Sequence, residues 1–384
     1  MIQTLAIVIA IMGAILIVAL FALVYKNAKS TKLDRFRSKD AGMADLLNYA
    51  AMVDDGVIVG KNGSFMAAWL YSGDDNASST DQQREMVSFR INQALAGLGN
   101  GWMIHVDAPR RPAPNYSERG LSHFPDPITE MIDEERRQLF EGLGTMYEGY
   151  FVITATYFPP MLAEQKFVEL MFDDDRPSPT QKARTTDLIE KFKRDIVSFE
   201  SRLGAALKLT RLNGHSVMNE DGSTVTQCDF LRWLQFCATG VNQPVILPSN
   251  PMYLDSIIGG QEMWTGVVPR IGRKFVQTVS IDGFPLESTP GVLSALSELP
   301  TEYRWSTRFI FMDTHEAVKH LEKFRKKWRQ KVRGFFDQVF QTNSGKIDQD
   351  ALSMVEDADQ AMAEVNSGLV AQGYYTSVVV LMDD

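Results

Sequence analysis

Residues 275–313 read FVQTVSIDGFPLESTPGVLSALSELPTEYRWSTRFIFMD and pass directly into THEAVKHLEKFRKKWRQKVR at 314–333. The stretch reads as strand, Pro-rich turn, short helix, strand and long basic helix. Phe275, Val279 and Ile281 open a β-rich run. Pro285, Pro290 and Gly291 punctuate the loop, and Pro290 is placed to start a helix over Val292–Leu299. Tyr303, Trp305, Thr307, Phe309 and Phe311 then alternate with Arg304, Ser306, Arg308, Ile310 and Met312. A period of two puts the aromatic residues on one face of a strand and the charged residues on the other.

The basic helix carries the strongest charge signal of the chain. Leu321, Phe324, Trp328, Val332, Phe335 and Val339 recur at three- or four-residue steps, one apolar stripe. Lys319, Lys323, Arg325, Lys326, Lys327, Arg329, Lys331 and Arg333 surround it, with Glu322 as the one acid among them. Such a run is either the solvated face of a long helix or a docking surface for phosphate, anionic lipid or an acidic partner. Beyond it, Asp348–Leu369 reads as an amphipathic helix. Tyr374–Met382, YYTSVVVLM, reads as a buried strand, and so strong a strand at the end of the sequence suggests the front portion of a longer protein.

The surrounding chain has 384 residues and a formal charge of −9, and the basic helix stands out against it. That length holds about two ordinary domains, and an acidic total argues against a dedicated nucleic-acid coat. The two cysteines, Cys228 and Cys237, are too few for a disulfide framework and read as reduced, buried thiols.

Toward the N-terminus, Ile2–Tyr25 contains no charged residue. As a helix it would be roughly 35 Å long, enough to cross a bilayer core of about 30 Å. It lacks the basic n-region and short apolar core of a signal peptide, so a retained transmembrane helix is expected. Lys26, Lys29, Lys32, Arg35 and Arg37 follow it. By the positive-inside rule the expectation is a single pass through a bacterial inner membrane, with a periplasmic N-terminus and a cytoplasmic body. Ala6, Ala10 and Ala14 lie at four-residue spacing, a small-residue stripe suited to packing on another membrane helix.

A first α+β domain is expected over 26–172. It contains a brief helix at Leu46–Val53 and strands Gly56–Gly60 and Phe65–Tyr71 joined by Lys61-Asn62-Gly63, a good hairpin turn. Ser79 and Thr80 with Gln82 and Gln83 offer capping boxes for a helix with the stripe Val87, Ile91, Leu95, Leu98, ended by Gly99. A strand Trp102–Ala108, an exposed loop Pro109–Pro125, a helix from Asp126-Pro127 to about Phe140 and a strand Tyr150–Phe158 complete the order ββαβαβ. Asp173–Pro179 is acidic and Pro-containing, the best candidate boundary. A second α+β domain follows over 181–384, with helical stretches at Thr185–Leu209 and Thr226–Ala238 and a hairpin-like loop at Gly214–Gly222. The fold expected is α+β: two mixed-sheet units with helices packed on their sheets, preceded by the transmembrane helix.

Catalytic motifs are missing. A phosphate-binding loop needs G-x-x-x-x-G-K-[ST]. Neither Gly60-Lys61 nor Gly345-Lys346 has the upstream glycine or the following hydroxyl residue. There is no G-x-S-x-G, H-E-x-x-H or C-x-x-C, and the five histidines are scattered. No catalytic, cofactor-binding or metal residue is assigned.

Several segments together resemble the CagE/TrbE/VirB family of conjugative type IV secretion ATPases, and its TrbE branch above all. They are DLLNYAAMVDDGVIVGKNGSFMAAWLYSGDD, LGNGWMIHVDAPRRPAPNY with FPDPITEMIDEERR, SIDGFPLESTPGVLSALSELPTEYRWSTRFIFMD with KKWRQKVRGF, and GYYTSVVVLMDD. The resemblance covers most of Asp45–Asp384. It implies an N-terminal module that docks to the inner-membrane subunits of a secretion apparatus and works with a C-terminal ATPase that forms hexamers. ATP and Mg are implied for a full-length member and for no residue of this chain. The expectation is a membrane-anchored docking and assembly module, inactive alone, in contact with lipid. The alternatives are a phosphohydrolase without a P-loop, or a single-stranded DNA contact using Phe324 and Trp328.

Overall fold

The computed structural model describes residues 42–73, 78–113, 116–117, 121–159, 179–218, 221–248, 252–283, 291–332 and 349–383. The chain divides into two compact units, 1–46 and 47–384. In the first, one helical turn is described, α1 (Met43–Leu46), where the Gly42 N–H donates to the Asp45 carboxylate at 3.0 Å.

The second unit begins with strands β1 (Ala51–Asp54), β2 (Val57–Val59) and β3 (Phe65–Ser72). The Lys61-Asn62-Gly63 turn joins β2 to β3 as expected, pairing Val59 with Phe65. Gly63 sits at φ 76°, a conformation a Cβ would strain, and the Asn62 side chain accepts from the Ser64 N–H at 3.2 Å. The helix expected over Leu46–Val53 gives way to β1, whose Ala51 and Met52 pair with Val59 and Ile58.

Helix α2 (Asp81–Ala96) starts with the Thr80/Gln83 capping box and stops at Gly97, two residues before the expected Gly99. Strand β4 (Trp102–Pro112) runs into the expected loop and takes Arg110 and Arg111 with it. Helix α3 (Pro127–Gly142) is capped by Asp126, whose carboxylate accepts from the Ile128 and Thr129 N–H groups at 2.9 Å. Then come β5 (Tyr147–Gly149), β6 (Phe151–Tyr157), α4 (Pro179–Leu203), β7 (Lys208–Arg211), β8 (Gly214–Met218), β9 (Thr224–Cys228), α5 (Asp229–Thr239) and the short α6 (Leu254–Ile258). Two expected helices therefore have other bounds: α4 starts earlier and ends six residues sooner, and α5 starts three residues later. The C-terminal end of Thr185–Leu209 turns into β7, and the start of Thr226–Ala238 belongs to β9.

The remainder is β10 (Met263–Trp264), β11 (Arg270–Ile271), β12 (Lys274–Ser280), β13 (Tyr303–Phe311), α7 (Thr314–Val332), α8 (Gln349–Ser367) and β14 (Gly373–Asp383). The helix expected over Val292–Leu299 is a single 3-10 turn, Ser294–Glu298.

Twelve strands join in one sheet, ordered β1-β2-β3-β6-β4-β13-β14-β12-β11-β10, with β5 on β4 and β7 on β3. Two mixed sheets were expected; every pairing described is antiparallel, and strands from both halves of the sequence share the sheet. The joint is β4 against β13, from Tyr303 opposite Arg110 to Ile310 opposite Met103. Most of the acidic connector at 173–179 lies outside the described residues.

Strand alternation divides the core into two layers. Phe65, Ala67 and Trp69 point to one face, where Phe192, Ile196, Phe199 and Leu203 of α4 cover them with Ala94 of α2. Met66, Ala68 and Val152 point to the other, under Phe230, Leu231 and Leu234 of α5 and Leu254 and Ile258 of α6. At the edge, Lys193 of α4 reaches Asp54 of β1 at 2.7 Å. That ammonium and the Asp55 N–H hold the Asp54 carboxyl below the usual carboxylate value. A depressed folded-state value means that the unfolded chain binds more protons at acid pH. The contribution to stability is therefore complete above the unfolded-state value and is lost as the pH falls through the folded-state value. Urea midpoints measured from pH 6 to about pH 3 are expected to fall less steeply for Asp54→Asn than for the natural chain; equal slopes would contradict the link.

The Ile2–Tyr25 helix, with Ala6, Ala10 and Ala14, lies outside the described residues. Among the described residues no helix is long and apolar enough to cross a membrane. The longest, α4, has 25 residues but carries charge throughout its length. The expected single-pass placement in an inner membrane is corrected accordingly.

Candidate functional site

The basic helix forms where the sequence puts it, and its side chains divide into two groups. Lys319, Lys323, Lys326, Lys327 and Arg329 are exposed, and Arg325 is half-buried. Arg325 turns toward the neighbouring α8, where its Nη1 meets Asp359 Oδ1 at 2.7 Å. That carboxylate holds the guanidinium above its ordinary value. Lys326 sits 3.7 Å from Glu322, one turn back on its own helix, a pair that contributes little at an exposed site. Arg325 is thus tied to α8, and Lys319, Lys323 and Lys327 stand in a row at four-residue spacing. The side chain of Lys331 and all of Arg333 lie outside the described residues. Phe324, expected on the buried stripe, is 53% exposed beside that row. Ala317 is the residue of α7 packed inward most closely.

An apolar cavity of about 430 Å³ lies between the sheet and α2 and α4. Ile91, Leu95, Val106, Leu203, Phe309 and Tyr375 are among its walls. Its polar groups are engaged: Thr307 donates to the Val106 carbonyl at 3.0 Å and Asn92 to the Leu369 carbonyl at 3.0 Å.

On the opposite face of the sheet is a buried ion pair. Arg304 Nη1 lies 2.7 Å from Asp107 Oδ1, with side chains 17% and 5% exposed. Arg304 Nη2 also donates to the Cys237 carbonyl of α5 at 3.3 Å. Burial pushes the Cys237 thiol up to about 12 and also raises Cys228, so both cysteines are protonated and free, as expected. Burial lowers His105 on the same strand, keeping it neutral. No group of His, Cys, Asp and Glu able to hold a metal ion occurs among the described residues. Asp107 and Asp359 escaped the sequence reading, because nothing local marks a carboxylate as the partner of a distant arginine.

Helix α7 thus presents a row of exposed lysines on an α/β body. Comparison with known proteins supplies the class. Residues 56–165 match the N-terminal domain of the type IV secretion system ATPase VirB4/TrbE. Residues 218–384 match the CagE, TrbE, VirB family, a component of the type IV transporter system.

The conjugal transfer protein TrbE of Rhizobium radiobacter is 42% identical over 354 residues, 92% of this chain and 43% of that protein. In Sinorhizobium fredii the similarity falls on two proteins, the first and second portions of a probable conjugal transfer protein TrbE. The first portion is 43% identical over 127 residues, 33% of this chain and 85% of that protein. The second is 45% identical over 193 residues, 50% of this chain and 29% of that protein. The chain belongs to the CagE, TrbE, VirB family, in its TrbE branch. It spans less than half the length of the R. radiobacter relative.

Proposed function

We propose that this chain is a docking and assembly module of a conjugative type IV secretion ATPase, one that binds through α7 and holds no nucleotide itself. The observation that carries the reading is the row Lys319, Lys323 and Lys327, exposed on one helix of an otherwise acidic chain. Spending three lysines on one solvent-facing row favours an acidic partner surface, and the field of such a row speeds and orients encounter. The match to the N-terminal domain of the ATPase supports the same reading. ATP and Mg belong, on this proposal, to a motor portion of a longer family member. The module would fix such a motor to the other subunits of the secretion machinery and pass its movement to them.

The test is quantitative capture of the other subunits of a conjugative secretion apparatus, coexpressed with the chain. The variant is Lys319→Glu/Lys323→Glu/Lys327→Glu. These residues are exposed, so the fold is expected to stand. Capture should fall about tenfold or more, and retention on the natural chain should weaken with salt. Equal capture by both forms would refute α7 as the contact.

A further inference from the structure

The cavity between the sheet and α2 and α4 is built by strand register. Ile104, Phe309 and Tyr375 stand opposite one another on β4, β13 and β14, one row across its floor. Ile153, Val106 and Thr307 form the next row, on β6, β4 and β13. Ile91 and Leu95 of α2 and Leu203 of α4 close the other side. Hydrogen-bonded strands fix the floor, so the space does not collapse. Its volume, about 430 Å³, is that of a small-ligand site.

Water suits this space poorly, because a buried water needs several polar partners. Thr307 and Asn92 already donate to the carbonyls of Val106 and Leu369. Arg308 borders the cavity, but strand alternation sends its side chain to the other face of the sheet, where the guanidinium meets Thr376 Oγ1 at 3.5 Å. The other polar groups of the wall are the phenols of Tyr71 and Tyr375. Burial pushes Tyr71 up to about 12, so it is uncharged. Tyr375 is 45% exposed and stands where the cavity meets solvent. Deeper in, Ile104, Ile153, Leu203 and Phe311 are at most 5% exposed. An empty space here forfeits dispersion contacts on every wall, and hydrocarbon restores them without leaving a polar group unpaired. We propose that the cavity binds a neutral aliphatic chain, held by its apolar walls, with any polar end projecting past Tyr375. A free alkyl molecule and the tail of a lipid share that chemistry. The inference stands apart from the docking reading and makes no use of α7.

The experiment titrates the full chain by calorimetry with dodecanol and with lauroyl lysophosphatidylcholine, each below its aggregation limit. Saturable binding of dodecanol, one molecule per chain, with a negative heat-capacity change is expected. Binding of the lysolipid as well identifies a lipid tail as an acceptable source; dodecanol alone restricts the site to free alkyl molecules. No saturable dodecanol binding overturns the proposal, as does binding of the lysolipid alone, which would place recognition in the headgroup. Ala96 and Ala371, both on the wall, allow the space to be filled. Ala96→Leu and Ala371→Leu are each expected to weaken binding about tenfold or more, with a urea midpoint at or above the natural one. Natural affinity in both variants overturns the proposal. A photoreactive diazirine analogue of dodecanol locates the site in the natural chain without any variant. Label on α2, β13 and β14 is expected. Label confined to other surfaces, such as the exposed Ile128, Met131 and Ile132 of α3, overturns the assignment.

Discussion

Asp107→Ala is expected to destabilise the fold by about 3–5 kcal/mol, the range for removing one partner of a buried ion pair. Asp107 and Arg304 bridge β4 and β13, the strands at which the two halves of the sequence meet. With the carboxylate gone, a buried guanidinium would keep only the Cys237 carbonyl of α5. Desolvation of that charge is then uncompensated, and the cost exceeds anything the pair itself contributes. Asp107→Leu/Arg304→Met removes both charges while keeping similar volume, and should lie much closer to the natural stability, within about 1–2 kcal/mol. Urea unfolding of the three proteins checks this. An Asp107→Ala midpoint equal to the natural one would mean that water reaches the guanidinium and that the pair is not a joint of the sheet.

Phe192→Ala should cost about 3–5 kcal/mol. Phe192 is fully buried on α4, with its ring 5.5 Å from Phe65 of β3 and 5.8 Å from Trp102 of β4. It is the point at which one helix grips two strands that are not neighbours, since β6 runs between them. Truncation leaves a void bounded by two rings whose backbones are fixed in the sheet, so the site cannot collapse to fill it. Phe192→Leu should recover more than half of the loss. Denaturant midpoints and the near-ultraviolet signal of Trp102 report both effects. A cost below about 1 kcal/mol would show that α4 is held elsewhere.

The C-terminal unit was largely legible in the sequence because its signals are local. The two-residue period of Tyr303–Phe311 and the lysine pattern of α7 each specify an element without reference to any distant residue. Element partners were less legible. The run Trp102–Ala108 reads as a strand, and says nothing of whether its neighbour is 50 or 200 residues away. That is why two mixed sheets were expected where strands from both halves of the sequence share one large antiparallel sheet. Short elements failed for another reason: Ala51–Asp54 has no strong β preference, and pairing with β2 decides its conformation. Thr224–Cys228 did carry a signal, Thr-Val-Thr, but its last three residues were assigned to the helix that follows.

The candidate site divides in the same way. Which basic residues exist was visible at once; that Arg325 is taken depended on Asp359 of α8. Helix α3 was foreseen as a helix, and its cap at Asp126 with it. The exposure of its apolar residues was not, because an apolar stripe ordinarily predicts the buried side.

The central claim is that the chain binds and positions without turning over nucleotide, and ATP hydrolysis by the purified full chain tests it most directly. The account predicts no ATP-dependent phosphate release above the buffer rate at any Mg concentration. Saturable turnover that follows the chain through purification, and that depends on its concentration, would contradict the account and require a nucleotide site built without a phosphate loop.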